Sequence, residues 1–70
     1  MATRTYYEVH SLLEPYDRCN DLVEAKQSAQ HILDTDMTVD CLYIYEITEE
    51  NPDGLAWRMV NDSCIDCLQR

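Results

Sequence analysis

The sequence predicts a single small α+β domain over residues 1–70, with one helix packed on one face of a mainly antiparallel sheet in the order β-α-β-β-β. Three stretches carry this reading. Residues 41–47, Cys-Leu-Tyr-Ile-Tyr-Glu-Ile, are the one run that is β-branched, aromatic and apolar almost throughout, and they mark a central strand. Asp21-Leu22-Val23-Glu24 has the spacing of a helix cap, an Asp side chain placed to accept from the backbone N–H of Glu24. Residues 49–54 hold Pro52 and the only glycine, Gly54, and predict a tight reversal.

Taken in order, residues 5–13 alternate as a strand, with Tyr7, Val9 and Leu13 on one face and Tyr6, Glu8, His10 and Leu12 on the other. Pro15 ends that strand, and residues 15–20 have the composition of a turn. The helix begins at about Leu22. Its apolar stripe is Leu22, Ala25, Ala29, Ile32 and Leu33, while Glu24, Lys26, Gln27 and Gln30 face water. Residues 34–40 oppose helix continuation and lead into the central strand. A strand over residues 55–60, a three-residue connection Asn61-Asp62-Ser63 and a short strand over residues 64–68 complete the chain.

The period of two then allows Tyr7, Val9, Tyr43, Tyr45, Ile47, Leu55, Trp57, Met59, Ile65 and Cys67 to point toward the helix as the core. On this assignment Leu12, Leu42, Ile44, Val60 and Leu68 fall on the opposite face. There they would join into an apolar patch large enough to imply a partner.

A chain of 70 residues has room for one small core, so a partner, metal or disulfide is a common supplement at this size. Fourteen carboxylates against five Lys and Arg give a net charge of −9, which argues against direct nucleic-acid binding and for a basic partner or plain solubility. The N-terminus has no apolar signal segment, and no run approaches a bilayer span, so the expected location is the cytoplasm of a host cell with no membrane association. Four cysteines are then expected as reduced thiols, at least two of them buried.

No constellation predicts catalysis. Cys64-Ile65-Asp66-Cys67 has the Cys-x-x-Cys spacing, yet residues three apart on a strand point to opposite faces, and zinc needs two further ligands. His10, His31 and Cys64 lack a nucleophile elbow or oxyanion loop. Asp34-x-Asp36 lacks the glycine and final glutamate of a calcium loop. The expected protein is therefore not an enzyme and carries no metal or other cofactor.

The carboxylates are more informative as a surface. Asp34, Asp36 and Asp40 lie on the approach to the central strand, and Glu46, Glu49, Glu50 and Asp53 gather at its far end. Residues two apart on a strand are ~6.6 Å apart, about the spacing of alternate phosphates, so an acidic small fold can occupy a basic nucleic-acid channel as a DNA mimic. These seven carboxylates, with Leu42 and Ile44 of the apolar face, are the candidate partner-binding residues.

Over residues 21–67 the chain resembles the small type I anti-CRISPR proteins of phages and mobile elements, in particular a type I-F inhibitor. The resemblance runs through the capped helix with Ala25-Lys26, the strand ending near Ile47, Gly54-Leu55-Ala56-Trp57 and Ile65-Asp66-Cys67. It implies a cofactor-free protein that binds a CRISPR effector and blocks target recognition or cleavage. The sequence departs from the family in its strong negative charge and in a segment before the helix that is too short for a second strand. The alternative is an acidic phage or mobile-element accessory protein acting by homodimerisation or on a host protein other than CRISPR.

Overall fold

A computed structural model describes residues 2–12 and 14–70. The described chain forms β1 (Ala2–His10), β2 (Pro15–Cys19), α1 (Leu22–Thr35), β3 (Cys41–Asn51) and β4 (Arg58–Gln69). The strands make one antiparallel sheet in the order β2-β1-β3-β4, and α1 packs on one of its faces. The α+β class and the single helix on an antiparallel sheet are as the sequence predicts. The element order differs in detail, because residues 15–19 form a strand, and residues 58–69 form one long strand where two short ones were expected. Leu13, expected on the first strand, lies outside the described residues.

Helix α1 starts where the cap predicts it. Asp21 is extended, and its Oδ1 accepts from the Glu24 N–H at 2.8 Å while Glu24 Oε2 accepts from the Asn20 N–H at 3.3 Å. Its other end is closed by the Asp36 N–H, which donates to the Ile32 carbonyl at 2.8 Å. The Arg70 guanidinium then donates to the carbonyls of Asp36 (2.6 Å) and Val39 (2.9 Å), tying the end of the chain to the connection between α1 and β3.

The core lies between α1 and the sheet. Val9, Ala25, Ala29, Leu42 and Ile44 are fully buried, with Cys19, Leu33 and Val39 nearly so. Two alanines facing the sheet let the helix axis come close, as the spacing predicts. On β1 the expected residues, Tyr7 and Val9, face the helix; on β3 the assignment is inverted. Leu42 and Ile44 are core, and Tyr43, Tyr45 and Ile47 take the open face. The branched aliphatic side chains of Leu42 and Ile44 have no polar atom to satisfy, whereas a tyrosine hydroxyl under the helix needs a partner.

The remaining predicted core residues lie outside it. Leu55 is 87% exposed, Met59 53%, Ile65 41% and Trp57 37%. Trp57 instead carries the Arg4 guanidinium over its ring at 4.1 Å. Tyr6 and Ile47, opposite each other on β1 and β3, form a second buried pair on the open face, and the Arg18 guanidinium lies 4.3 Å above the Tyr6 ring.

Two register shifts shape β4. Tyr43 pairs with Cys67, Ile44 with Asp66 and Tyr45 with Cys64, so Ile65 is an extra residue in a β-bulge; Val60 is another, between the partners of Thr48 and Glu49. The first bulge puts Cys64 and Cys67 on the same face. The strand-parity expectation for this Cys-x-x-Cys pair therefore fails.

Candidate protein interface

The seven predicted carboxylates do not form one site. Asp34 sits in the last turn of α1, where Oδ1 accepts from Gln30 Nε2 at 2.9 Å. Asp36 caps that helix, and its Oδ1 accepts from the Thr38 hydroxyl (2.6 Å) and N–H (3.0 Å). Those two hydrogen bonds hold its carboxyl below the usual carboxylate range. Asp40 is exposed just before β3. None of the three pairs with a Lys or Arg side chain among the described residues.

The other group lies along and beyond β3, from about 20 Å away at Glu46 to roughly 30 Å at Glu49 and Glu50 if the strand's ordinary rise is taken. Glu49 pairs with Arg4 at 2.8 Å and Glu50 with Arg58 at 2.6 Å. Glu46 is on the helix side and accepts from the Tyr7 hydroxyl at 3.2 Å. Asp53 is taken up locally, accepting from the Leu55 N–H at 2.9 Å in the turn before β4. Three of these four are thus committed within the sheet, and phosphate-like spacing along a strand does not describe Asp34, Asp36 and Asp40, which sit on a helix end and a turn.

Leu42 and Ile44 are each 0% exposed and so unable to touch a partner in the folded chain. On β4 the exposed apolar residues are Met59, Val60 and Ile65, while Leu12, Val23, Met37 and Leu55 are exposed on other parts of the fold. Sequence parity assigned Met59 and Ile65 to the core. In the sheet β4 is an edge strand, and the two bulges change the alternation on which that assignment rests. At the acidic end, Ser11, Leu12, Glu14 and Tyr16 face Thr38, Val39, Asp40 and Cys41 across a groove of about 700 Å³.

The candidate catalytic set is not brought together. His31 is exposed on α1, whereas His10 lies on the open sheet face, its ring 4.9 Å from that of Tyr45 and its Nε2 3.7 Å from Glu8. Among the described residues, no group of three or more His, Cys, Asp or Glu is arranged to hold a metal ion, and no helix is long and apolar enough to cross a membrane. No family model, curated protein or solved structure matches this chain.

Proposed function

We propose that this chain is a small acidic inhibitor that docks on a Lys- and Arg-lined surface of a CRISPR effector, the type I surveillance complex or its nuclease, and blocks recognition or cleavage of target nucleic acid. The observation that carries the charge argument is the use of the cations. Arg4, Lys26 and Arg58 pair with Glu49, Asp66 and Glu50, Arg18 covers Tyr6, and Arg70 holds backbone carbonyls. Of fourteen carboxylates only those three pair with a Lys or Arg among the described residues, which leaves eleven carboxylates against the charges of Arg18 and Arg70 to set the external field. The choice of a CRISPR effector rests on the sequence resemblance. The end bearing Asp34, Asp36 and Asp40 is the preferred contact because none of these carboxylates is ion-paired, which leaves it negative with the Arg70 guanidinium on the Asp36 carbonyl counted in.

The test is binding of the purified chain to a type I-F surveillance complex by surface biosensor, with target DNA as competitor and a salt series. Binding that competes with DNA and weakens as salt rises supports the proposal. Absence of binding at low salt overturns the CRISPR assignment.

A second reading, homodimerisation, is favoured by β4, a 12-residue edge strand with exposed Met59, Val60 and Ile65 and an unpaired backbone edge. Sedimentation equilibrium separates the two, since a dimer that dissociates on Val60→Lys supports this reading and a monomer at all concentrations removes it.

A further inference from the structure

Outside the charged surface, the open sheet face gathers three of the four cysteines. Cys41 begins β3, Cys67 stands opposite Tyr43 on β4, and the bulge at Ile65 brings Cys64 to the same face opposite Tyr45. The Sγ atoms of Cys41 and Cys67 are 3.2 Å apart, at positions 26 apart in the sequence, and both are free thiols. The Cys64 thiol is turned along its own strand, donating to the Asp66 carbonyl at 3.5 Å. The fourth thiol, Cys19, is buried on the helix side.

We propose that Cys41 and Cys67 form a reversible disulfide, a redox-modification site that fastens β4 to β3. Closing from 3.2 Å to the ~2.05 Å of a disulfide brings the sulfurs about 1 Å nearer, and because Cys41 and Cys67 are diagonal neighbours on the ladder the exposed end of β4 moves with them. The oxidant is a small disulfide of the glutathione class. Cys67, the more exposed of the two, attacks it as a thiolate, forming a mixed disulfide and releasing one glutathione thiol. Cys41, as a thiolate, then attacks the Cys67 sulfur and expels the second glutathione. Two protein thiols are oxidised, one glutathione disulfide is reduced to two thiols, and the two protons pass to the departing thiolates.

The consequence falls on the strand least held by the core. β4 is exposed over almost its whole length, and only Asp66 and Leu68 are half-buried. A bond from Cys67 to Cys41 anchors its C-terminal half independently of packing.

The experiment incubates the full chain in mixtures of reduced and oxidised glutathione, quenches in acid and measures intact mass, followed by alkylation and tryptic mapping. Cleavage after Lys26 and Arg58 places Cys41 in the peptide 27–58 and Cys67 in 59–70, so their linkage appears as a joined pair of peptides. The expected result is loss of two hydrogens, reversed by dithiothreitol, retained in Cys64→Ser and Cys19→Ser, and replaced by a single glutathione adduct in Cys41→Ser or Cys67→Ser. The oxidised wild type should also melt several degrees higher than the reduced form. Four alkylatable thiols after oxidation, a bond between Cys64 and Cys67 within one peptide, or a disulfide only between chains overturns the proposal.

Discussion

Val9 and Ile44 face each other across β1 and β3, and neither keeps any exposure to solvent. This pair is the point at which the sheet meets Ala25, Ala29 and Leu33 of the helix. In a core this small, each aliphatic side chain carries a large share of the stability.

Ile44→Ala should therefore lower the unfolding free energy by about 2–5 kcal/mol, the transfer loss plus the cavity left under α1. Met59→Ala, at a half-exposed position on β4, should stay within about 0.5 kcal/mol. Urea unfolding followed by circular dichroism checks both. A larger loss at Met59 than at Ile44 would reverse the assignment of sheet faces.

The inversion on β3 shows how far a pattern of two can be read. Residues 41–47 are apolar or aromatic on both faces, so alternation sorts them into two sets without saying which is covered. The deciding fact is the register with β1, which sets Ile44 opposite Val9 and Glu46 opposite Tyr7 and leaves no local signature. The helix was legible because Asp21, Glu24 and the alanine stripe agree with one another. β2 was not, since Pro-Tyr-Asp-Arg-Cys has turn composition and becomes a strand through pairing with β1; Pro15 stands at its first position on a sheet edge, where proline is tolerated. Asn61-Asp62-Ser63 likewise extends because β3 is long enough to pair with it. Of the candidate site, the acidic residues were legible as charges. Their separation into a paired and an unpaired group was not, because the partners Arg4 and Arg58 come from elsewhere in the chain.

Arg4 links Glu49 and Trp57, and Trp57 is the only tryptophan, so its emission reports this contact. Arg4→Met should shift that emission to the red and cost about 1 kcal/mol, because the Arg4 side chain is close to half-exposed. Unchanged fluorescence would place the guanidinium away from the ring.

Cys19 predicts the alkaline limb of stability. Burial, with the Asp17 carboxylate beside it, pushes its thiol up to about 11, whereas an unfolded cysteine ionises at about 8.5. A raised value in the folded state means that its contribution is complete below the unfolded value and is lost as pH rises toward the folded one. Stability should accordingly fall between about pH 8.5 and 11, and Cys19→Ala should flatten that fall. Asp17 acts at the other end. The Ser28 hydroxyl, 2.6 Å away, holds its carboxyl below the usual range, so its contribution is present above about pH 4 and disappears as pH drops through the depressed value. Ser28→Ala should soften the acid limb alone. Denaturation midpoints across the pH range test both signs.

The last prediction separates the two acidic groups by their partners. Under the proposed docking, Asp34→Asn, Asp36→Asn and Asp40→Asn together should slow association with the basic complex by about tenfold or more at low salt, with little change in dissociation. The defect should shrink as salt approaches ~0.5 M, where screening already removes the same attraction from the wild type. Asparagine at position 36 keeps an oxygen able to accept from Thr38, so the helix end should survive and the melt should change little. Glu49→Gln and Glu50→Gln should slow association less, because these residues lie at the other end of β3 from the proposed contact, where salt screens a change of charge. Each changes the net charge by the same single unit as a substitution in the first set and leaves Arg4 or Arg58 unpaired. Equal losses from the two sets, measured by stopped-flow association at two salt concentrations, would show that net charge alone drives binding and that the end of the fold bearing Asp34, Asp36 and Asp40 has no special part in it.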